Sequence, residues 1–228
     1  KKLDAIQWGT AGHYVMQHLF ETYPQGATAL SDEILIVEIE RLLEESMRQL
    51  LPPDFTPNGE VKFFLEKLKS GLLNDARRIS QHLDNSKFKT VGCEIEIGPG
   101  KDIPSPAYEY NGSTVTLRGK IDRVDRYDAP DGNSYLSAID YKTGDAEFKM
   151  SNLTEGSKIQ LAYYLKALCA DGSRYNGCIP AAFFYFPLNV KQSAADSEDE
   201  AENSSGKFTR LQGYARDNEA LAALGGSD

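Results

Sequence analysis

The hydrophobic periodicity of this chain changes near residue 90, and this change constrains the fold more than any other feature. Before it, apolar residues recur three and four positions apart, as in the stripe Val15, Met16, Leu19 and Phe20. After it, apolar and polar residues alternate, as in the CEIEI segment at 93–97. The first spacing is typical of amphipathic helices and the second of half-buried strands. We therefore expect a helical N-terminal annex followed by a sheet.

Three helices are predicted in the annex, and the first carries the stripe described above. Ser31 is expected to cap the second helix, which continues to residue 51 and ends at Pro52-Pro53. A third helical pattern covers residues 61–83, with an interruption expected near Gly71.

Turn signals divide the remaining chain into strands. The Asn111-Gly112 dipeptide predicts a tight hairpin, and the APDGN segment at 129–133 predicts a second turn. Strands are expected over residues 93–97, 114–127, 135–142, 181–190 and 208–214, and helices over 155–170 and 218–224. Asp217 is expected to cap the last helix.

The length of 228 residues favours one domain covering 1–228, with a mainly helical part at 1–90 and a sheet core at 91–228. Residues 191–206 hold five acids and one base in a polar, unpatterned stretch, which predicts an acidic mobile loop. The start at Lys1 and the GGSD end favour a domain excised from a larger protein.

Composition excludes several classes of protein. A net charge of −9 argues against a protein that holds DNA by charge alone. Three cysteines at unrelated spacings exclude a disulfide scaffold and show no zinc pattern, so a reducing cytoplasm is the expected location. No apolar run approaches the roughly 20 residues needed to span a bilayer, so no membrane association is expected.

Two aspartates flank the second turn at matched distances. Opposed residues of an antiparallel hairpin have a constant index sum, and for Asp122 and Asp140 this sum is centred on Asp131, inside the APDGN turn. The two carboxylates are therefore expected to be cross-strand neighbours, with Lys142 on the same face as Asp140. By themselves these residues fit either a site for a hard divalent cation or a solvated face with a simple ion pair.

Two further elements also allow more than one interpretation. Gln160 and Tyr164 share a helix face at i, i+4, as either functional residues or one surface and one core residue. His13 lies at the edge of the buried face of the first helix, as either a ligand or a structural histidine. Phosphate-binding, dinucleotide-binding, serine-hydrolase and zinc-protease motifs are absent from the sequence.

Taken together, these residues resemble the PD-(D/E)XK nuclease superfamily, and in particular the RecB/AddB-type nuclease domain of bacterial helicase–exonuclease complexes. The resemblance rests on four motifs in order: GTAGH at 9–13, GKIDRVD at 119–125, IDYKTG at 139–144 and QLAYY at 160–164. It implies an α/β fold with a restriction-endonuclease-like mixed central sheet flanked by helices. The FFYFPL run and Gly213-Tyr214 fit the C-terminal part of such a domain.

The resemblance also implies a metal centre. His13, Asp122 and Asp140 would be metal ligands, completed by the backbone carbonyl of Tyr141. The expected ion is Mg²⁺, with Mn²⁺ as an alternative. An acid upstream of the hairpin can assist, and the candidates are Glu94 and Glu96, of which Glu94 sits closer to the family position.

The remaining implied roles concern the reaction. Lys142 would position or activate the attacking water or stabilise developing charge on the phosphate, while Gln160 and Tyr164 would orient Lys142 and contact the DNA backbone. Related domains often hold an iron–sulfur cluster on four flanking cysteines. Cys93, Cys169 and Cys178 occupy none of those places, so the cysteines of this chain do not support a cluster.

The function implied is a metal-dependent deoxyribonuclease that hydrolyses phosphodiester bonds, with single-stranded DNA favoured. It would act with a helicase subunit or a linked helicase region in double-strand-break processing and recombinational repair. One alternative is a stand-alone exonuclease of the same superfamily. Another is a non-catalytic DNA-binding or scaffold subunit, against which the intact Asp122, Asp140 and Lys142 argue.

Overall fold

The computed structural model describes residues 4–143, 151, 159–188 and 212–225. The chain divides into two compact units built from interleaved segments. Unit 1 comprises Lys1–Asp84, Tyr141–Ala146 and Phe186–Arg210, and unit 2 comprises Asn85–Asp140, Glu147–Tyr185 and Leu211–Asp228. The organisation of residues 1–228 as a single domain stays a prediction.

The N-terminal helices begin where capping residues satisfy their free N–H groups. In α1 (Ala5–Thr22), Asp4 and Gln7 form a reciprocal capping box. In α2 (Asp32–Leu50), the Ser31 side chain accepts from the Ile34 N–H, as predicted, and the helix ends before Pro52. The third helix, α3 (Gly59–Asn85), completes the set. Their apolar stripes form the core of unit 1, including the fully buried Val15, Met16, Leu19, Phe20, Leu35, Ile39 and Leu72.

The interruption expected near Gly71 is wrong, because α3 runs unbroken through that position. A glycine inside a helix costs only about 1 kcal/mol relative to alanine. Leu68 and Leu72 on either side are buried, and burial of one such side chain contributes about 1.5–3 kcal/mol. Packing of the flanking leucines therefore outweighs the local preference of the glycine.

The strands form a mixed five-stranded sheet and a separate two-stranded ribbon. The sheet has the order β1-β4-β5-β6-β7, built from β1 (Lys89–Ile97), β4 (Gly119–Asp128), β5 (Ser134–Lys142), β6 (Ile179–Pro187) and β7 (Gln212–Ala215). Strand β4 pairs antiparallel with β1 and β5, and β6 pairs antiparallel with β7. The ribbon pairs β2 (Ala107–Tyr110) with β3 (Ser113–Thr116).

The prediction of one strand over 114–127 is wrong, because the chain forms β3 and β4 with a break at Leu117 and Arg118. The Arg118 carbonyl accepts a hydrogen bond from the Tyr164 hydroxyl at 3.2 Å. A tyrosine from a distant helix therefore takes the acceptor that a continuous ladder would use.

Two short helices complete unit 2. The QLAYY motif begins α4 (Gln160–Leu168), and α5 (Asn218–Ala223) is capped by Asp217 as predicted. In unit 2, α5 and β6 share an apolar cluster that contains Phe88, Ala181, Ala182, Phe184, Ala220, Ala223 and Leu224. The predicted acidic loop at 191–206, the start of the 155–170 helix, and residues 189–190 and 208–211 of two predicted strands lie outside the described residues.

Candidate active site

The β4–β5 hairpin has the predicted register. Arg123 pairs with Ile139 and Asp128 with Ser134, both with the index sum 262. The turn is closed by the Gly132 N–H donating to the Ala129 carbonyl at 3.0 Å. Continued by one residue, this register sets Asp122 opposite Asp140 in unit 2.

The β1–β4 ladder brings a third carboxylate into the same row. Cys93 pairs with Arg123 and Ile95 with Ile121, so Glu94 lies opposite Asp122. One carboxylate oxygen of Glu94 lies within 4.8 Å of one of Asp122. Three neighbouring strands thus contribute one acid each: β1 gives Glu94, β4 gives Asp122 and β5 gives Asp140.

The structure distinguishes the two upstream acids that the sequence left open. The Glu94 side chain is 17% exposed and forms an ion pair with Lys120, whereas the Glu96 side chain is 48% exposed and pairs with Lys101. Glu94 has the left-handed backbone angle φ 50°, close to the register shift in β1 between Thr90 and Gly92. Glu94 is therefore the acid placed beside Asp122.

This row of acids has the chemistry of a site for a hard cation. Asp122 is buried, and carboxylates so close repel each other when both are ionised. Lys120 offsets part of this charge at Glu94. Oxygen ligands of this kind suit Mg²⁺, Mn²⁺ or Ca²⁺. The residues present therefore fit the divalent metal that the sequence analysis implied.

Tyr185 is a neighbour of Asp140 that the sequence analysis did not identify. It lies in β6, the strand next to β5, and its side chain is buried. Burial raises the pKa of the Tyr185 phenol to about 12, and the negative charge of Asp140 contributes to that rise. The phenol therefore stays protonated at neutral pH and remains a hydrogen-bond donor.

Gln160 and Tyr164 contact each other and the first residues of β4. The Gln160 amide donates to the Tyr164 hydroxyl, which donates to the Arg118 carbonyl. Tyr164 is buried, and a Cβ added to Gly119 would overlap its phenol ring. The first glycine of GKIDRVD and the last tyrosine of QLAYY thus form one packed contact in unit 2.

Two motif residues to which the sequence analysis gave no role form a buried ion pair. Arg123 contacts both carboxylate oxygens of Asp125 at 3.0 Å, and the Thr90 hydroxyl donates to Asp125 at 2.9 Å. All three residues are buried. The pair holds β4 to β1, which positions the strand that carries Asp122.

In unit 1, His13 belongs to a chain of ring contacts. Its imidazole meets the Tyr141 ring edge-on at a centroid distance of 5.9 Å, and Tyr141 meets Phe186 in the same way at 6.0 Å. The Arg78 guanidinium lies 4.7 Å above the Phe186 ring and pairs with the buried Asp75. A charged residue of α3 is thereby linked through two rings to the predicted ligand His13.

The first and third motifs also meet in unit 1. Gly9 of GTAGH faces Thr143 of IDYKTG, and an added Cβ would lie 3.5 Å from the Thr143 side chain, which is an ordinary van der Waals distance. The Lys142 carbonyl accepts a hydrogen bond from the Leu188 N–H at 2.8 Å. His13, Tyr141 and Lys142 thus lie in unit 1, whereas Asp122, Asp140, Gln160 and Tyr164 lie in unit 2.

The cysteines have the properties of buried thiols. Cys93, Cys169 and Cys178 are free and partly buried. Burial raises the pKa of the Cys169 thiol to about 12, with a smaller contribution from Cys178. A thiol with so high a pKa is a poor nucleophile at neutral pH.

Comparison with known families defines the class of protein that this fold and these acids indicate. The profile of the PD-(D/E)XK nuclease superfamily matches residues 1–226, and the chain belongs to that superfamily. This confirms the resemblance and the α/β fold expected from the four motifs.

The relatives found are each named as one subunit of an ATP-dependent helicase/deoxyribonuclease. The protein of Desulforudis audaxviator is 33% identical over 189 residues, which cover 80% of this chain and 16% of the relative. That of Carboxydothermus hydrogenoformans is 29% identical over 230 residues, covering 97% and 21%. That of Clostridium botulinum strain Hall is 32% identical over 183 residues, covering 77% and 16%. The chain spans about a sixth to a fifth of the length of these relatives.

Among the described residues, no helix has both the length and the apolar character required to cross a bilayer.

Proposed function

We propose that this chain is a metal-dependent deoxyribonuclease that hydrolyses phosphodiester bonds in DNA, with a preference for single strands. The observation that carries the proposal is the row of Glu94, Asp122 and Asp140 across β1, β4 and β5. Three acids in register on adjacent strands are costly without a compensating cation. Membership of the PD-(D/E)XK nuclease superfamily supports a nuclease role.

The proposed ligands are His13, Asp122, Asp140 and the Tyr141 carbonyl, with Glu94 assisting. When bound, Mg²⁺ or Mn²⁺ would neutralise charge on the phosphate and lower the pKa of a water. The ring contact of His13 with Tyr141 supports a fixed orientation of the imidazole, because an edge-on contact restricts its rotation.

Lys142 is proposed to stabilise the charge that builds on the phosphate as water attacks, since an ammonium group supplies three donors at one point. Gln160 and Tyr164 are proposed to orient Lys142 and to contact the DNA backbone. The contact of Tyr164 with Gly119 and Arg118 gives these two residues a second task, which is to hold the start of β4.

The biological setting is also a proposal. The names of the relatives join a helicase to a deoxyribonuclease, which supports action with a helicase subunit or a linked helicase region. Such a motor would deliver single-stranded DNA to a chain whose net charge of −9 does not favour DNA binding by itself. Processing of double-strand breaks in the cytoplasm is the proposed role.

The test is digestion of end-labelled single-stranded and double-stranded DNA in Mg²⁺, Mn²⁺ or EDTA. We expect cleavage with either metal and none in EDTA. Asp140→Asn and Lys142→Ala should each lower the rate at least about hundredfold. The matched control is Asp128→Asn, which removes an exposed carboxylate of the same hairpin and should retain the wild-type rate.

Binding of Mn²⁺ to the chain without DNA, measured by calorimetry, separates metal binding from catalysis. Asp122→Asn should weaken this binding and Asp128→Asn should not. If Asp140→Asn and Lys142→Ala both cleave DNA as fast as wild type, the site assignment is wrong. A wild-type chain that binds DNA but cleaves it in no metal would instead be a non-catalytic DNA-binding subunit.

A further inference from the structure

The β2–β3 ribbon is a two-stranded hairpin that forms no part of the central sheet. Tyr110 pairs with Ser113, and Asn111 and Gly112 between them have φ angles of 48° and 72°. Two consecutive positive φ values are typical of the type I′ turn, which suits the twist of a tight hairpin. The ribbon is therefore well defined locally although every residue of β3 is exposed.

The ribbon has one face that carries large apolar groups into solvent. Tyr110, Ser113 and Val115 share this face by strand alternation and pairing, and Tyr110 is 70% exposed and Val115 51% exposed. On the opposite face, the Thr114 hydroxyl donates to the Glu109 carboxylate at 2.7 Å. A two-stranded hairpin buries little surface by itself, so an exposed aromatic face is available to a partner.

Cationic groups lie where the ribbon joins the central sheet. Arg118 directly follows Leu117 at the end of β3, is exposed, and its guanidinium makes no ion pair or hydrogen bond within the described residues. Lys120 is half exposed and reaches Glu94. Asp122 lies six residues beyond Thr116, and at about 3.3 Å per residue it is at most ~20 Å from the ribbon.

We infer that the Tyr110 face of the ribbon is a stacking platform for single-stranded DNA, with Arg118 holding a phosphate between the ribbon and the acid row. This inference rests on the proposed function and names a substrate contact outside the acids. An exposed aromatic ring next to an unpaired guanidinium complements the two parts of a single strand, its bases and its phosphates. An apolar protein partner would use Tyr110 and Val115 but would not need the free cation.

The experiment measures binding of a fluorescein-labelled dT20 oligonucleotide by anisotropy in EDTA, so that hydrolysis does not interfere. Tyr110→Ala should weaken binding about fivefold to hundredfold, because stacking on one aromatic ring carries this much affinity. Tyr110→Phe should bind like wild type, whereas Tyr110→Leu should lose as much as Tyr110→Ala. Thr116→Ala, an exposed change on the opposite face of the ribbon, is the matched control and should bind normally.

Arg118→Ala should lower affinity and reduce the slope of log affinity against log salt by about 0.7. In Mg²⁺, Tyr110→Ala should raise KM for single-stranded DNA and leave kcat unchanged. Wild-type affinity in Tyr110→Leu would overturn the inference in favour of an apolar protein surface, and wild-type affinity in Tyr110→Ala would overturn it altogether. If these variants lose affinity but wild type cleaves no DNA, the platform is supported and the proposed hydrolysis is not.

Discussion

Each compact unit pairs a buried aspartate with an arginine, and the two arginines differ in how far they are enclosed. In unit 2 the side chains of Arg123 and Asp125 are 1% and 2% exposed, and Arg123 contacts both carboxylate oxygens. In unit 1 the Arg78 side chain is 21% exposed, contacts Asp75 through one nitrogen at 3.1 Å, and lies over the Phe186 ring.

The difference shows two ways of supporting a motif. The enclosed pair acts on the strand itself, because Arg123 and Asp125 belong to the same strand as Asp122. The half-exposed Arg78 acts at a distance, through Phe186 and Tyr141 to His13. Loss of the first pair should therefore affect stability most, and loss of the second should also change the environment of His13.

The largest effect is expected from Arg123→Met. The substitution leaves the Asp125 carboxylate buried without its cation, and breaking a buried pair in this way costs about 3–5 kcal/mol of unfolding free energy. Urea unfolding measures the loss. Arg126→Met, three positions along the same strand in a surface pair with Asp128, should cost no more than about 0.5 kcal/mol. Similar losses for the two variants would show that enclosure does not matter here.

Gly119→Ala should come next, with a loss of about 2–3 kcal/mol. The new Cβ would overlap the Tyr164 ring, and overpacking of this kind forces side-chain and backbone shifts. Adding Tyr164→Leu should recover part of the loss, because the shorter side chain vacates the space above Gly119. Strict additivity of the two changes in a double-mutant cycle would contradict the proposed contact.

A smaller loss, about 1–2 kcal/mol, is expected from Arg78→Met. One hydrogen bond to Asp75 and one cation–ring contact disappear, while solvent can reach the site. The decisive measurement is the NMR signal of the His13 ring, which should shift because Phe186 and Tyr141 lose their support. Arg48→Met, an exposed change on α2, should leave that signal in place. An unmoved His13 signal in Arg78→Met would separate the ring chain from the ligand.

Gly9→Ala should have the smallest effect and the opposite sign. An added Cβ meets Thr143 at an ordinary 3.5 Å, and alanine inside α1 is favoured over glycine by about 0.5–1 kcal/mol. Thermal unfolding should therefore show a slightly raised midpoint. A lowered midpoint would mean that the Gly9–Thr143 contact is as tight as the Gly119–Tyr164 contact.

Local signals in the sequence were sufficient for most helix starts and both hairpins. Ser31 and Asp217 cap helices where predicted, and the Asn111-Gly112 turn closes the ribbon. The turn centred on Asp131 determined the β4–β5 register, because a turn of fixed length leaves one index sum for the strands it joins. The opposition of Asp122 and Asp140 was therefore predictable from residues within ten positions of that turn.

Long-range packing decided the rest. The choice of Glu94 over Glu96 depends on Lys120, on the β1–β4 register and on the strand irregularity that begins at Thr90, none of which the alternating CEIEI pattern contains. The break before β4 depends on a tyrosine 46 residues away, and the continuity of α3 through Gly71 depends on buried leucines. Sequence signals act over a few residues through backbone preference, whereas these outcomes were determined by the space and the hydrogen-bond partners that distant segments provide when they pack.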